Sequence, residues 1–347
     1  MEEITIKDIA RKCNVGVSTV SRAINNHPDI NPKTREMVMA VIRETGYIPN
    51  NSARNLKRTD AKCIAVLIKG ITNPFFSSMI GIIESHVQKK KYTMVMQHVE
   101  AYEDELDVAL ELVKEKRLRG IVFLGGAYRH DRAKLLKLKA PFVFCTIGTQ
   151  GQEKEPFYSN VSVDDMAESR KMTEYLLSLG HRKIAIIAEG AQGESVGRLR
   201  LEGYKAALGQ WKVPIDHRLV CLAKDQDPYS MENGYRMAKR LLASGVGFTA
   251  LYCISDFLAV GACRALYESG KKIPEEVSVT GYDGLSIGDF YTPRLTTIRQ
   301  PVEEMAKKTM EILFHVIEEK CGHEHVVFPG ELVVRESAGT ACRQEHD

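Results

Sequence analysis

Apolar residues in the first 50 positions recur at the spacing of short amphipathic helices. They occupy one side of two segments, at Ile6, Ile9, Ala10 and Cys13 and then at Val20, Ala23 and Ile24. A third helix is predicted to begin at Asn31-Pro32, a capping residue followed by proline, and to end before Gly46. The pattern therefore predicts a small all-α domain at residues 1–49, in which a tight turn joins the first two helices as in a helix-turn-helix.

From Cys63 onward, the pattern changes to short apolar runs that alternate with amphipathic segments of helical period. The runs predict strands at Ile64–Ile68, Thr93–Gln97, Gly120–Leu124, Phe142–Thr146, Ile184–Ala188, Ala250–Ile254 and Val277–Gly281. Strands that alternate with helices are typical of parallel, doubly wound sheets, and the number of runs fits two such sheets. We therefore predict that an α/β body follows the helical domain.

The outward face of the second predicted helix favours contact with DNA. It carries short or forked hydrogen-bonding side chains and no acidic ones, at Ser18, Thr19, Ser21, Arg22 and Asn25. Arg22 can make a two-pronged contact to guanine, while Val17 and Ser18 at the start of the helix can reach base edges or a thymine methyl group. Any small three-helix bundle also has polar outer faces, so this pattern alone leaves a purely structural role open.

Composition is that of an ordinary globular protein, with 44% hydrophobic and 27% charged residues. The net charge of +3 is concentrated at the start of the chain, because residues 1–60 contain ten Lys or Arg against seven Asp or Glu. The first residues show no secretory signal and no apolar run is long enough to span a membrane, so we expect a cytoplasmic protein. The eight cysteines include no C-x-x-C pair, which favours reduced core residues.

Enzyme and metal chemistry find little support in the sequence. There is no G-x-G-x-x-G after a strand, no P-loop lysine motif and no serine nucleophile elbow, and Asp164-Asp165 is better explained as the start of a helix. One candidate metal site comprises Cys321, His323, Glu324 and His325. Alternate residues of a loop seldom converge on one ion. We therefore expect no enzymatic activity, no cofactor and no metal.

Polar residues follow several of the predicted strands, at the place where parallel α/β sheets bind their ligands. Candidates are found at Thr72–Phe76, Ser255-Asp256 and Tyr282-Asp283. Asn73 and Asp256 are also typical of helix caps, which need no ligand. The sequence thus predicts a ligand site at these strand ends and leaves the capping alternative open.

Three segments of the head resemble the DNA-binding domain of the lactose and galactose repressor family: Thr5–Ala10, Thr19–Asn25 and Gly46–Asn50. Four segments of the body, in the order of that family, resemble its sugar-binding-protein-like domain: Asn73–Phe76, Arg198–Tyr204, Gly281–Gly284 and Leu295–Pro301. The resemblance covers nearly the whole chain. It implies a two-lobed, periplasmic-binding-protein-like α/β domain with two doubly wound parallel sheets over residues 61–340, after the helix-turn-helix.

The resemblance also implies how the body and the linker are divided. The N-lobe would comprise about 62–161 and 292–322, and the C-lobe about 162–291 and 323–340. Residues 50–60 would form a hinge helix and linker whose Leu56 wedges into the minor groove, the alternative being an ordinary linker leucine. Contacts to DNA would come from Thr5, Val17, Ser18, Thr19, Ser21, Arg22, Asn25, Tyr47, Asn50, Ser52, Arg54 and Leu56.

Carried over position by position, the family pattern implies an effector site in the body. Its residues would be Asn73, Phe75, Phe76, Thr146, Arg200, Tyr229, Ser255, Asp256, Asp283 and Gln300. For Arg200 and Asp283 we favour ligand contact over structural pairing, since charged groups of this kind bind hydroxyls or an acidic group. Thr146 stands where many relatives carry an acid, and Ser255 replaces a frequent asparagine. The effector is therefore left unnamed, with a sugar, sugar derivative or small polar metabolite favoured over a purine.

Together these features predict a DNA-binding transcription regulator, and the resemblance favours a repressor. Because one recognition helix reads only a few base pairs, we expect a homodimer on a pseudo-palindromic operator, controlled allosterically by a small effector. The tail Glu336–Asp347 has no leucine heptads, so a tetramer is not expected. A transport binding protein is the alternative, but it would need only the body and would carry a signal peptide.

Overall fold

The computed structural model of the chain describes residues 4–24, 26–47, 62–70, 72–148, 157–190, 194–223, 228–319 and 322–341. The chain is divided into two compact units, Met1–Ala61 and Lys62–Asp347. The smaller unit is helical where it is described, and the larger contains two sheets with helices between their strands. The predicted combination of an all-α head and an α/β body is therefore confirmed. Among the described residues, no helix is both long and apolar enough to cross a membrane.

The described part of the smaller unit consists of α1 (Ile6–Lys12), α2 (Val17–Ile24) and α3 (Pro32–Thr45). Its buried core includes Ile9, Ala10, Cys13, Val20, Ala23 and Val38. At the start of α1, the Asp8 carboxylate accepts hydrogen bonds from the Thr5 amide at 2.9 Å and the Thr5 hydroxyl at 2.6 Å. Asn31 caps α3 by accepting from the Lys33 amide, and Gly46 ends it in the left-handed region at φ 64°. The three predicted helices are confirmed.

The larger unit alternates strands and helices along most of its length. It begins with β1 (Cys63–Lys69), α4 (Phe75–Lys89), β2 (Thr93–Val99), α5 (Glu105–Glu115), β3 (Leu118–Leu124), α6 (Arg132–Leu135), β4 (Phe142–Cys145) and β5 (Ser159–Val163). It continues with α7 (Asp165–Ser178), β6 (Ile184–Glu189), α8 (Val196–Gln210), β7 (Val220–Ala223), α9 (Met231–Ala243), β8 (Ala250–Cys253), α10 (Asp256–Glu268) and β9 (Ser278–Asp283). It ends with α11 (Ile287–Phe290), β10 (Thr296–Arg299), α12 (Val302–Ile317), β11 (His325–Phe328) and β12 (Glu331–Val333).

Two six-stranded sheets divide this unit into an N-lobe and a C-lobe. The N-lobe sheet has the strand order β11-β5-β4-β3-β1-β2, and the C-lobe sheet has the order β12-β10-β9-β8-β6-β7. Their strand pairs are parallel except for β10 with β12, which is antiparallel. Central strands of such sheets are buried on both faces, and β1 and β3 each contain five consecutive buried residues. The two parallel sheets predicted from the sequence are confirmed.

The lobe boundaries implied by the resemblance differ from those of the structure at the two later crossings. β10, expected within the N-lobe segment 292–322, pairs with β9 in the C-lobe sheet. β11, expected within the C-lobe segment 323–340, pairs with β5 in the N-lobe sheet. Both strands are only four residues long, too short for an alternating pattern to reveal them, and backbone pairing decides their place. The chain therefore crosses between lobes after Arg299 and again after Phe328.

Helices α9 and α10 of the C-lobe approach each other backbone to backbone. A Cβ atom on Gly234 would lie 2.1 Å from the Leu258 carbonyl oxygen, and one on Gly261 would lie 1.9 Å from the Met231 carbonyl oxygen. Only glycine permits so close an approach. Because α10 also packs on β9, this approach helps to fix the strand that ends at Asp283.

Candidate functional site

A cavity of about 350 Å³ lies between the two lobes, at the carboxyl ends of the parallel strands. From the N-lobe it is lined by Lys69 of β1 and His98 of β2, and from the C-lobe by Glu189 of β6 and Asp283 of β9. Eight of the ten expected effector residues line it: Asn73, Phe75, Phe76, Thr146, Arg200, Tyr229, Asp283 and Gln300. The structure therefore brings these residues together where ligands of doubly wound sheets bind.

The N-lobe wall of the cavity begins at the first turn of α4. Phe75 and Phe76 are buried there and pack edge to face, with ring centroids 5.5 Å apart. The Asn73 side chain accepts a hydrogen bond from the Phe75 amide at 3.1 Å, so it caps the helix and also lines the cavity. The Thr146 hydroxyl accepts from the Gly125 amide at 3.2 Å, which ties together the ends of β3 and β4. The two phenylalanines give this wall an aromatic surface, and aromatic faces suit the apolar face of a sugar ring.

Arg200 is a buried cation within a network of carboxylates. From α8, its Nε donates to Asp165 Oδ1 at 2.8 Å and its Nη1 donates to the Ile254 carbonyl oxygen at 2.7 Å. Its Nη1 also lies 3.5 Å from Asp283 Oδ1, and its guanidinium carbon lies 3.8 Å from the centroid of the Tyr282 ring. We expected ligand contact in preference to structural pairing, whereas the structure contains the pairing. Contact between Arg200 and a ligand stays a prediction.

The Asp283 carboxylate has one oxygen with a partner and one without. Its Oδ1 accepts a hydrogen bond from Gln300 Nε2 at 2.9 Å, whereas its buried Oδ2 has no hydrogen-bond partner in the described chain. The backbone is held at φ 109°, a conformation uncommon outside glycine. Burial raises the pKa of this carboxyl to about 6, against the opposing effect of the Arg200 guanidinium. A buried acceptor without a donor, at the wall of a cavity, is a group that a ligand hydroxyl would satisfy.

Tyr229 and Glu189 form a second polar pair, on the C-lobe side of the cavity. The Tyr229 hydroxyl donates to Glu189 Oε2 at 2.9 Å. Burial, and then the Glu189 carboxylate, raise the pKa of Tyr229 far above its usual range, so the phenol stays a neutral donor. A Cβ atom on Gly197 would lie 2.6 Å from Glu189 Oε2 and 2.8 Å from the Tyr229 hydroxyl. The absence of a side chain at Gly197 therefore makes room for the pair.

The charged network at the end of β1 was not predicted from the sequence. The Lys69 ammonium lines the cavity and donates to Glu105 Oε2 at 3.0 Å. Glu105 is buried, accepts from the Ala127 amide at 2.7 Å and lies 3.0 Å from His130 Nε2. Burial alone would raise the pKa of Glu105, but these three partners together hold it at about 2. The available signal was that Lys69, like Glu189, directly follows an apolar run that predicts a strand.

Ser255 and Asp256, the other two expected effector residues, do not line the cavity, and their contact with an effector stays a prediction. The Ser255 hydroxyl caps α10 by accepting from the Leu258 amide at 3.2 Å. Asp256 is fully buried and accepts hydrogen bonds from the Thr297 hydroxyl and the Leu285 amide, both at 2.6 Å. Both side chains therefore have hydrogen-bond partners within the protein. A polar residue that follows a strand can cap the next helix instead of binding a ligand, as Ser255 does.

Carboxylates outnumber cations around the cavity. Among the described residues, the wall carries two cations and three carboxylates: Lys69 and Arg200, and Glu100, Glu189 and Asp283. Each cation is already paired with a further buried carboxylate, Lys69 with Glu105 and Arg200 with Asp165. Within the described part of the wall, no unpaired Lys or Arg is left to bind a phosphate group.

The polar face of α2 is open to solvent. Val17, Ser18 and Arg22 are exposed, Thr19 and Ser21 are half-buried, and Val20 and Ala23 on the other side are buried. Thr5 is exposed at the start of α1, and Tyr47 packs against the helical core. Further expected DNA contacts lie outside the described residues: Asn25, Asn50, Ser52, Arg54 and Leu56. The DNA contacts of this face stay predictions.

The histidines of the candidate metal segment have other partners. His323 Nδ1 lies 3.2 Å from the Ser159 hydroxyl, and His325 Nδ1 is hydrogen-bonded to the Asn160 side chain. Cys321 lies outside the described residues. Across the residues that the structure does describe, no group of three or more His, Cys, Asp or Glu is placed to hold a metal ion.

Comparison with known protein families matches both units. Residues 5–50 match bacterial regulatory proteins of the lacI family, and residues 173–338 match the periplasmic binding protein-like domain. The chain is 37% identical over 337 residues to the HTH-type transcriptional regulator MalR of Clostridium butyricum, an alignment that covers 96% of this chain and 99% of that relative. The resemblance drawn from the sequence motifs is confirmed.

Solved structures of regulators share the fold over nearly the whole chain. The lac repressor dimer bound to operator and the anti-inducer ONPF matches with a TM-score of 0.75 at 26% identity, over 97% of this chain and 100% of that chain. The complex of the transcriptional regulator CelR with cellobiose matches with a TM-score of 0.69 at 27% identity, over 96% of this chain and 100% of that chain.

Proposed function

This chain belongs to the lacI family of bacterial regulatory proteins, and from that premise we propose that it is a transcriptional repressor controlled by an uncharged, sugar-like effector. The exposed face of α2 enters the major groove, and a homodimer places two such faces on the half-sites of a pseudo-palindromic operator. The lac repressor, which has a similar fold, is bound to its operator as a dimer, and this supports the same arrangement here.

The effector part of the proposal rests above all on the unpartnered Oδ2 of Asp283 in the cavity wall. A buried acceptor without a donor costs about 1–3 kcal/mol, which a ligand hydroxyl removes by donating to it. Gln300 and Arg200 already hold the other oxygen of the same carboxylate. The acceptor is therefore fixed in place before a ligand arrives, and a polyhydroxyl ligand supplies the missing donor.

The charge of the cavity favours an uncharged effector over a phosphorylated one. A phosphate group would meet the carboxylates of Glu100, Glu189 and Asp283, and the described wall offers it no unpaired Lys or Arg in compensation. The similar regulator CelR forms a complex with cellobiose, an uncharged sugar. The volume of about 350 Å³ falls in the range of ordinary small-molecule sites.

Effector binding controls DNA affinity through the arrangement of the two lobes. Both lobes line the cavity, so a ligand that contacts both favours whichever arrangement best completes those contacts. Allosteric coupling between two such sites typically amounts to about 1–3 kcal/mol. The sign of the measured change in operator affinity distinguishes an inducer from a corepressor.

The relatives are described as transcriptional regulators rather than as enzymes. We assign no catalysis to the cavity, because its two cations are both engaged in ion pairs and its Tyr229 phenol is hydrogen-bonded to Glu189. A regulator that binds operator DNA acts on the nucleoid, and we therefore place the protein in the cytoplasm.

Thermal unfolding of the full-length protein tests the effector proposal. Each uncharged mono- or disaccharide of a panel is paired with its phosphate ester, and both are added at the same concentration. We expect one or more of the uncharged sugars to raise the unfolding midpoint, since a ligand that binds only the folded state stabilises it. A phosphate ester that raises the midpoint while its parent sugar does not would contradict the proposal.

A further inference from the structure

Exposed basic side chains are concentrated at the amino ends of the N-lobe strands. Because β4, β3, β1 and β2 are adjacent and parallel, the residues that precede them lie along one edge of the sheet. We call the exposed Lys and Arg of residues 62, 89–91, 114–119 and 137–139, ten in all, the basic edge. The cavity lies at the carboxyl ends of the same strands, so the basic edge is separate from the effector site.

Few carboxylates balance the basic edge. Within its four segments the one acidic residue is Glu115. Lys90 pairs with Glu318, at the end of α12, at 2.8 Å. The other nine cations form no ion pair with any residue that the structure describes. Nearly the whole positive charge of this edge is therefore free to meet an external anion.

The corresponding edge of the C-lobe sheet has fewer unpaired cations: in the described chain, four exposed ones form no ion pair, namely Arg182, Lys183, Lys212 and Lys272. Ahead of β7, Arg218 pairs with Asp216 at 2.7 Å, and ahead of β9, Lys271 pairs with Glu276 at 2.9 Å. The two lobes share an architecture but differ at this edge. The difference is one of degree, with nine unpaired cations at the basic edge against four here, and the denser positive charge attracts a polyanion more strongly.

The dimensions of the basic edge fit a nucleic-acid backbone. Four adjacent strands spaced about 4.8 Å apart span about 14 Å. Over that length a DNA duplex carries about eight phosphate charges. The N-terminal unit ends at Ala61, so its chain enters this edge directly at Lys62. From Tyr47 to Lys62 there are 15 residue steps, a length of chain that spans no more than about 50 Å.

We propose that the basic edge is a second DNA-binding surface, which contacts the phosphate backbone without reading the base sequence. The inference rests on the proposed function, since it needs a duplex that the α2 face also binds. Lys and Arg that contact phosphates release counterions. The contact therefore adds affinity for any duplex and makes binding more sensitive to salt, while base contacts from α2 carry the sequence preference.

Two triple variants of the full-length protein test this surface. The edge triple combines Lys89→Gln, Lys116→Gln and Lys139→Gln, which remove one charge ahead of each of β2, β3 and β4. The control triple combines Lys183→Gln, Lys212→Gln and Lys272→Gln, which are exposed lysines of the C-lobe. Binding to a fluorescent random-sequence duplex is measured by anisotropy over a series of KCl concentrations.

The edge triple is expected to lower the slope of log affinity against log salt by up to about 3, and to weaken binding roughly tenfold or more at moderate salt. The control triple should match the unaltered protein in both quantities. Equal slopes for the two triples would overturn the inference. A loss of binding to phosphatidylglycerol vesicles, with DNA binding intact, would overturn it in favour of a membrane partner.

Failure of the inference is distinguishable from failure of the proposed function. If the unaltered protein binds no duplex, including duplexes selected from a random pool, both are overturned. If it prefers a selected duplex and the two triples share one salt slope, only the basic edge is refuted. Equal unfolding midpoints of the two triples confirm that the comparison concerns binding and not folding.

Discussion

The two ends of the N-lobe sheet differ in whether their charged side chains are buried and paired. At the carboxyl end, Lys69 is paired with the buried Glu105 and lies in a wall with a surplus of carboxylates. At the amino end, nine cations of the basic edge are exposed and form no ion pair within the described chain. A buried charge must be paired and oriented, which suits recognition of one small uncharged molecule. An exposed charge can exchange partners, which suits a long polyanion, so we expect the two ends of the sheet to bind different ligands.

Removing the buried cation of the cavity is the most severe way to test this contrast. Arg200→Met leaves the Asp165 and Asp283 carboxylates buried without their cation. We expect the free energy of unfolding, measured in urea, to fall by about 3–5 kcal/mol. Arg198→Met, on the exposed side of the same helix, is the matched control and should change it by no more than about 0.5 kcal/mol. Equal losses for the two variants would refute the buried network.

Acid should lower the free energy of unfolding by protonating Glu105, at the carboxyl end of the N-lobe sheet. The pKa of Glu105 is lowered from 4.5 to about 2, so its stabilising effect is complete above about pH 4.5 and is lost as the pH falls towards 2. The shift corresponds to about 3 kcal/mol of unfolding free energy at neutral pH. Unfolding of the unaltered protein and of Glu105→Gln should therefore differ at neutral pH and converge in acid. A difference that stays constant with pH would contradict this.

Asp283→Asn separates ligand recognition from stability. The amide keeps the shape of the side chain, but it replaces one acceptor oxygen with an NH2 group that donates, and it removes the negative charge. We expect effector affinity, measured by calorimetry, to fall by about 1.5–3 kcal/mol, roughly ten- to a hundredfold. Burial raises the pKa of Asp283 to about 6, so the ionised carboxylate lowers the folding stability at neutral pH. Because the variant carries no such charge, it should unfold no more easily than the unaltered protein.

The exposed Glu331→Gln is the control for Asp283→Asn, since it removes one carboxylate from the C-lobe surface. It should leave effector affinity unchanged. If the effector affinity of Asp283→Asn itself were unaltered, Oδ2 of Asp283 would not be the acceptor of the ligand hydroxyl.

The smallest effect concerns the pH dependence of effector binding. The pKa of Asp283 is about 6 in the free protein, so its carboxylate gains a proton as the pH falls below that value. Effector affinity should be constant above about pH 6 and decrease below it, by at most about tenfold per pH unit. The same titration with Asp283→Asn should be flat over this range. A decrease of equal size in the variant would assign the titration to another group.

The sequence predicted the elements that have strong local signals. A few consecutive residues are enough to recognise the long apolar runs of β1 and β3 and the capping residues of α3. β10 and β11 were not recognised as strands, and they were placed in the wrong lobes. Each is four residues long and is fixed by pairing with a distant strand, and the apolar side chains of β11 are only partly buried.

The candidate site was predictable in its location but not in the roles of its residues. The carboxyl ends of parallel strands identified where polar side chains gather. Nothing local distinguishes Ser255, which caps a helix, from Asp283, which lines the cavity. The pairing of Arg200 with Asp165 joins residues 35 positions apart, and periodicity carries no information on such a contact.

The affinity of the full-length protein for a duplex selected from random sequence, with and without the sugar that raises its unfolding midpoint, tests the central claim most directly. We expect the sugar to change this affinity by about 5- to 150-fold. We also expect the Asp283→Asn variant to bind the duplex normally but to need about ten- to a hundredfold more sugar for the same change. A sugar that stabilises the protein but leaves its affinity for the duplex unaltered would contradict the claim that the cavity controls DNA binding.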